Sequence, residues 1–261
     1  MAIHKQQTEP LFADVIWAQP ERADGRNRVL IVGGHSHALQ APLDAFRLLR
    51  ERKLGAGVVL PDALRSLLKF GRPAELDLTF APSTPAGSLA RTGKEEILAA
   101  AAAYDCLFIV GDLSSNQETK QLAAEIVGDF KGLKLITGRV AEDFLDTGPA
   151  DKDLNLILSA SQLAHRLRGA GHKGQGLPAP ENLGQTLAEL EVGCNLTACC
   201  DNILWTKADG QVCATYVAGF KDSDDNRLGV AVESAFYLIN NPGRPWPALV
   251  SAAWQSRLNR E

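Results

Sequence analysis

The stretch Arg28-Val29-Leu30-Ile31-Val32-Gly33-Gly34 decides the fold class of this chain of 261 residues. An apolar, partly β-branched run that ends in two glycines predicts a buried strand followed by a tight turn. Helix formers with apolar spacing follow over 41–54, and Gly55-Ala56-Gly57 then leads into a second apolar run at 58–60. The order strand, glycine turn, helix, strand is typical of the repeating unit of a parallel α/β protein.

The same alternation continues to the end of the chain. Further strands are predicted from apolar runs at 76–80, 106–110, 133–136, 155–158, 195–199, 203–207 and 212–217. Helices are predicted at 62–70, 94–104, 117–127, 162–167, 183–190, 228–239 and 246–258. Asp209-Gly210 joins the last two strands and is typical of a hairpin turn. We therefore expect an α/β fold with a mostly parallel central sheet, helices on both faces, and a late antiparallel hairpin at one edge.

No long linker or shift in composition divides the sequence after residue 28. We expect one α/β domain over 28–261, preceded by an N-terminal segment over 1–27. Ligands of open α/β sheets bind beyond the carboxyl ends of the strands, so the loops that follow the strands are expected to carry the site. The sequence leaves the oligomeric state open, a homo-oligomer included.

Composition and charge exclude several classes of partner. The chain has 27 basic and 31 acidic residues, a net charge of −4, and it lacks the basic stripe of a nucleic-acid-binding protein. No apolar run approaches the roughly 18 residues of a membrane span, and the first twenty residues lack the apolar core of a signal peptide. We therefore expect a cytoplasmic protein with no nucleic-acid or membrane partner and with its five cysteines reduced.

Four of those cysteines lie close together, between Cys194 and Cys213. Zinc sites use pairs of the form C-x₂₋₄-C, whereas the adjacent Cys199 and Cys200 would point to opposite faces of a strand. We therefore expect no metal site and interpret the thiols as small buried side chains.

Four blocks of sequence resemble the NAD(P)H-hydrate dehydratases, a family of the ribokinase-like superfamily. They are 28–34 with its helix and Gly55-Ala56-Gly57-Val58, then 105–111 with Glu118-Thr119, then 156–159 with its helix, and finally the hairpin with the terminal helices. The resemblance covers nearly the whole chain from about Arg28. It implies a ribokinase-like three-layer fold and, wherever the parent activity persists, a carbon–oxygen lyase that uses ADP or ATP with Mg²⁺.

The turn before the penultimate helix departs from the family pattern. A Gly-Thr-Gly-Asp-like turn there supplies an anion-binding helix start and an acid/base aspartate in the family, but this chain has Lys221-Asp222-Ser223-Asp224-Asp225-Asn226-Arg227. Carboxylates repel the phosphate that backbone N–H groups at a helix start would attract. The resemblance implies Asp225 as the catalytic residue, or Asn226 if the register shifts by one. An acidic helix start that is stabilised by the helix dipole is the structural alternative.

Other signature loops depart from the family as well. The Gly-Pro-Gly-Leu-Gly-like turn is Val110-Gly111-Asp112-Leu113-Ser114, and the Asp-Ala-Asp-like strand end is Thr137-Gly138-Arg139. The Pro-His-Pro-Gly-Glu-like loop is shortened to Ser159-Ala160-Ser161-Gln162, and the phosphate-binding Lys-Gly pair falls at Ala198-Cys199-Cys200, without a lysine. All four of these loops, which carry chemistry in the family, thus differ from the family pattern.

The first turn keeps residues that could contact a ligand. His35-Ser36-His37 follows Gly33-Gly34 at the end of the first strand, where the superfamily contacts substrate, and histidine titrates near neutral pH. We predict a substrate-binding set of Gly33, Gly34, His35, His37, Asp112 and Asn226. A solvated turn without a ligand is the alternative interpretation of the histidines.

These observations support three hypotheses. The leading one is a diverged homologue of the ADP- or ATP-dependent hydrate dehydratases that has lost the parent motifs and retains a small-molecule pocket. The second is an active enzyme, either a hydrate dehydratase with Asp225 as acid/base and His35 and His37 facing the substrate, or a sugar-kinase-like enzyme. The third is a structural or interaction protein whose contact surfaces are Asp222 to Asp225 and the aromatic-rich stretch from Trp246 to Trp254.

Overall fold

The computed structural model describes residues 3–18, 27–70, 76–113, 116–147, 151–173 and 176–258. Ten strands lie within these ranges: β1 (Ile3–Gln6), β2 (Arg28–Gly33), β3 (Gly55–Pro61), β4 (Asp77–Ala81), β5 (Cys106–Val110), β6 (Leu133–Thr137), β7 (Leu154–Ser159), β8 (Asn195–Cys200), β9 (Ile203–Ala208) and β10 (Gln211–Tyr216). The α-helices of the same ranges are α1 (Ala13–Trp17), α2 (Gln40–Glu51), α3 (Lys94–Ala101), α4 (Gln117–Asp129), α5 (Val140–Thr147), α6 (Ala160–Gly169), α7 (Pro180–Glu189), α8 (Asp224–Asn240) and α9 (Pro245–Leu258).

All ten described strands form one sheet in the order β1-β10-β9-β8-β7-β6-β5-β2-β3-β4. Strand β9 is antiparallel to β8 and β10, and every other neighbouring pair is parallel. In the centre, Ile31 of β2 lies opposite Val58 of β3 and Phe108 of β5. The carboxyl ends of nine described strands therefore share one edge of the sheet, where the ligands of such sheets bind.

Helices cover both faces of this sheet and create two cores. Val29 and Ile31 of β2 pack into the core beneath α2, α8 and α9, whereas Leu30 and Val32 pack into the core beneath α3 to α7. Alternation along a strand sends successive side chains to opposite faces, so a strand that is buried on both faces is apolar throughout. The predicted three-layer α/β fold, with a mostly parallel sheet and a late antiparallel hairpin, is confirmed.

Several element boundaries differ from the sequence prediction. The helix predicted at 62–70 is a pair of short 3₁₀ turns, Asp62–Leu64 and Leu67–Phe70, and the prediction did not include α5. The hairpin β9–β10 is not at the edge of the sheet, because β1 pairs with β10 in parallel. Strand β1 comes from the segment 1–27, so that segment contributes a strand to the sheet of residues 28–261. No helix of the described ranges is long and apolar enough to cross a membrane.

Candidate functional site

Three neighbouring strands end in glycine turns at the carboxyl edge. Gly34 follows β2, Gly111 follows β5 and Gly138 follows β6, and each has a positive φ that glycine adopts without strain. A Cβ on Gly138 would lie 2.6 Å from the carbonyl oxygen of Gly111, and one on Gly33 would lie 2.5 Å from that of Val110. These glycines therefore allow adjacent strand ends to approach closely, and Gly33 and Gly34 serve the scaffold.

The two predicted histidines lie in the turn that follows β2. His35 and Ala38 exchange backbone hydrogen bonds, and the N–H of His37 donates to Nδ1 of His35 over 3.2 Å. The Ser36 N–H donates to the carbonyl of Gly87, which joins this turn to the loop that follows β4. Because Nδ1 of a neutral His35 accepts, its Nε2 carries the proton. The half-buried His35 ring can therefore donate a hydrogen bond to a ligand, and the His37 ring is exposed.

Asp112 lies in a small cavity of about 240 Å³ at the ends of β5 and β6. Its lining residues are Asp112, Leu113, Lys120, Arg139, Val140, Glu142 and Asp143. The Lys120 ammonium is 2.7 Å from the Asp143 carboxylate, and His165 is 2.9 Å from Glu142. The carboxylates of Asp143 and Glu142 thus each have a basic partner.

Asp225 and Asn226 line a different cavity, of about 550 Å³, between α2, α8 and α9. This cavity shares no lining residue with that of Asp112. The Asn226 amide donates to the carbonyl of Lys221 over 2.7 Å, so it is engaged by its own turn. The structure therefore places the predicted residues Asp225 and Asn226 apart from Asp112. The predicted site residues therefore do not line one common pocket, and neither of these two cavities is lined by His35 or His37.

Asp222 occupies the position that an anionic ligand would take at the start of α6. Its carboxylate accepts a hydrogen bond of 2.8 Å from the backbone N–H of Ala160, the first residue of that helix. Ser159 and Gln162 complete a capping box over the same turn, with hydrogen bonds of 3.1 and 2.9 Å. Side chains of the protein therefore satisfy amides that could otherwise bind phosphate.

Carboxylates also neutralise Arg227, a basic side chain at the start of α8. The Arg227 guanidinium bonds to both Asp222 and Asp224. Burial lowers the pKa of Arg227, but these hydrogen bonds and charges outweigh burial and leave it above its ordinary value. Ser223 caps α8 by accepting from the N–H of Asn226, and Asp224 and Asp225 lie in the first turn. This geometry is that of an acidic helix start, the structural alternative predicted for the segment.

Cys106, Cys199 and Cys213 are buried in strands, and Cys194 and Cys200 are half-buried. Cys199 packs into the core beneath α8, and Cys200 packs against the opposite core, so the two thiols point to opposite faces as predicted. Burial, with Asp222 and Asp201 nearby, raises the pKa of Cys200 to about 12, and burial raises that of Cys106 to about 12. Such thiols remain protonated at neutral pH and are poor nucleophiles.

Comparison with solved structures identifies the architecture. A hypothetical protein from Streptococcus mutans superposes with a TM-score of 0.68 at 14% identity, covering 94% of this chain and 86% of that one. Phosphofructokinase-2 from Escherichia coli in complex with fructose-6-phosphate gives 0.58 at 10% identity, with coverages of 90% and 94%. Pyridoxal kinase from Staphylococcus aureus in complex with pyridoxal gives 0.56 at 14% identity, with coverages of 87% and 84%. The chain has the ribokinase-like fold.

Identities this low establish the ribokinase-like fold alone. No family model matches the chain, and no curated protein sequence matches it. Its chemistry must therefore be argued from its own side chains.

Sequence reasoning did not predict two ion pairs that the ribokinase-like fold forms. Asp222 meets Arg227, and Arg52 of the α2 C-terminus meets Glu233 of α8. Glu233 had a recognisable signal, because it is the one charged residue in the apolar run 228–239. A charge at such a position predicts a buried partner without identifying it.

Proposed function

We propose that the chain is a diverged relative of the NAD(P)H-hydrate dehydratases that binds a small molecule at its carboxyl edge and does not carry out nucleotide-dependent catalysis. The proposal joins the sequence resemblance to the geometry of the Asp222 turn. The ribokinase-like fold is common to both the family and this chain, and the departures lie in the loops that would do the chemistry.

One observation carries the proposal: the Asp222 carboxylate accepts from the Ala160 N–H at the start of α6. A nucleotide phosphate at this helix start would have to displace Asp222 and then stand beside it. A second carboxylate, that of Asp201, lies beside Asp222, because it accepts a hydrogen bond of 2.9 Å from the backbone N–H of Asp222. Like charges this close oppose each other by Coulomb repulsion, and Arg227 is already paired.

The small-molecule part of the proposal rests on the turns that follow β2 and β5. His35 offers an Nε2–H donor and Asp112 offers a carboxylate, both beyond carboxyl ends of parallel strands. This pair suits a neutral, hydrogen-bonding ligand, since the His35 Nε2–H can donate a hydrogen bond and a carboxylate oxygen of Asp112 can accept one.

Calorimetry with ATP and ADP, each with Mg²⁺ at physiological salt, tests the proposal. We expect dissociation constants above about 1 mM, which correspond to less than about 4 kcal/mol of binding free energy. Asp222→Asn keeps the size of the side chain and removes its charge, so it should gain measurable binding of ADP. Asp225→Asn removes the same charge from the α2–α8–α9 cavity and should gain none.

Micromolar affinity of the wild type for either nucleotide would contradict this account of Asp222. The enzyme alternative has its own assay, in which hydrated NADH or NADPH is incubated with ATP or ADP and the reduced nicotinamide is followed by absorbance. We expect no turnover above background. Turnover that disappears in Asp225→Asn would establish an active dehydratase with the base at the family position.

A further inference from the structure

The cavity between α2, α8 and α9 has the size of a small-molecule site and a polar lining. Its volume of about 550 Å³ falls in the range of about 300–1,000 Å³ that is typical of ligand pockets. Helix α8 contributes Asp225, Asn226, Gly229, Val230, Val232 and Glu233, and the rest of the lining is Leu48, Glu51, Arg52 and Ser256. Gly229 opens this space, since a Cβ built on it meets no atom within 4 Å.

A buried ion pair lies at the bottom of the cavity. The Glu233 side chain is 5% exposed, and its carboxylate accepts a hydrogen bond of 2.6 Å from Nε of Arg52. The guanidinium also lies over the Phe236 ring, 5.6 Å from its centroid. A charged pair removed from water is weak evidence for stability, because hydrophobic residues of the same volume pack at least as well. The pair places charged groups at the bottom of a cavity whose lining is otherwise partly apolar.

The charges that line the cavity define the class of ligand. The lining contains three carboxylates, those of Glu51, Asp225 and Glu233, and one guanidinium, that of Arg52. Arg52 is neutralised by Glu233, and Glu51 is 3.9 Å from the exposed Arg47. Asp225 makes no hydrogen bond or ion pair within the described part of the chain. The unbalanced charge at the rim is therefore negative, and it favours a positively charged guest.

We infer that this cavity binds a small organic cation with primary ammonium groups, which Asp225 and Glu51 hold at the rim above the Arg52–Glu233 pair. This cavity shares no lining residue with the cavity of Asp112, and cation binding in it does not depend on the proposed function.

Calorimetry with three probes of one chain length tests the inference. Putrescine carries two ammonium groups, 1,4-butanediol is its neutral counterpart, and succinate is the dianion. We expect putrescine to bind with a dissociation constant of about 1 mM or lower at low salt and the other two to give no measurable heat. Binding should weaken as salt is added, because the rim is exposed.

Two matched substitutions locate the binding. Gly229→Leu fills the cavity from a helix position with open space and should abolish the putrescine signal. Gly128→Leu makes the same change on α4, where a Cβ also meets nothing, and should leave the signal intact. Leucine is a better helix former than glycine, so both variants should remain folded. Asp225→Asn should weaken binding about three- to fivefold.

Three outcomes would overturn the inference. They are no heat with putrescine, equal binding of 1,4-butanediol, and putrescine binding that survives Gly229→Leu in a folded protein. The first removes the site, the second removes its preference for a cation, and the third places the binding elsewhere on the surface.

Discussion

Tyr104 explains why glycine stands at position 57. Its hydroxyl donates to the Asp77 carboxylate over 2.7 Å, and its ring lies 4.4 Å from the guanidinium carbon of Arg28. A Cβ on Gly57 would overlap that hydroxyl, and a Cβ on Gly55 would lie 3.0 Å from the Arg28 side chain. The two glycines of the Gly-Ala-Gly stretch therefore make room for side chains that bridge β2, β4 and the start of β5.

We predict that Gly57→Ala destabilises the protein by about 1–3 kcal/mol, because the added methyl group must displace Tyr104. Chemical denaturation measures the loss. Burial and the contact with Asp77 raise the pKa of Tyr104 to about 12, so the variant should bring it back towards 10 in an ultraviolet titration. Gly128→Ala is the control and should hold or gain stability, because its helix position is open. Equal stability of both variants would mean that Tyr104 does not need the space.

At the scale of elements, a buried lysine joins the amino ends of β6 and β7. Lys134 of β6 has a side chain that is 5% exposed, and its ammonium is 2.7 Å from the carboxylate of Asp151, just before β7. Asn155 of β7 donates to the carbonyl of Lys134 over 3.1 Å, and Asn195 of β8 donates to the Asn155 side chain. A polar network thus fixes three neighbouring strands at the edge opposite the candidate site.

We predict that Asp151→Asn destabilises the protein by about 3 kcal/mol at pH 7, because it leaves the Lys134 charge buried without a partner. Burial raises the pKa of Asp151, but Lys134 and the Asp153 N–H outweigh it and lower the pKa below its ordinary value. A carboxyl group with a lowered pKa stabilises the fold above its unfolded pKa, and this contribution is lost as the pH falls through the folded pKa.

Urea denaturation at pH 7 and at about pH 3 checks both parts of this prediction, since the difference between wild type and variant should shrink as the Asp151 carboxylate becomes protonated. Asp129→Asn removes the carboxylate from an exposed pair with Lys94 and should change little. A loss that is the same at both pH values would show that the Asp151 charge is not the cause.

At the scale of the whole molecule, the first strand closes one edge of the sheet. The Gln6 amide is buried and donates to Thr215 Oγ1 over 2.7 Å and to the carbonyl of Val250 over 2.8 Å. Phe12 contacts the Trp246 ring edge-on, with centroids 6.4 Å apart. The described residues of the segment 1–27 therefore cover both the β10 edge and the apolar surface of α9.

We predict that a chain shortened to residues 28–261 melts at a lower temperature and self-associates. Its β10 edge would present unpaired N–H and C=O groups, and Trp246 would lose its cover. Thermal denaturation and light scattering measure the two effects. Gln6→Ala in the full chain should cost about 1–3 kcal/mol, because Thr215 and Val250 lose a buried partner. A shortened chain that stays monomeric with an unchanged melting temperature would make 28–261 an independent domain.

The fold class of this protein was determined by its sequence, because the burial of strands and helices shows in the local pattern of apolar residues. A strand that is covered on both faces must be apolar at consecutive positions, as 29–32 and 106–110 are, and helices of the cover layers must alternate with such runs. Strand β1 escaped prediction because Ile3-His4-Lys5-Gln6 has no such pattern. Its pairing depends on β10, more than 200 residues away.

Only the tertiary structure decided where the candidate site residues meet. Asp222 reaches the N–H of Ala160 across 62 positions, and Arg52 reaches Glu233 across 181. Nothing local marks either partner, because a side-chain contact depends on how helices and strands are placed in space. Asp225 lies on the helix face towards α2 and α9 because of where α8 begins, and a shift of one residue turns a helical side chain by about 100°. Periodicity thus defines the layers, and packing decides which charges neutralise each other.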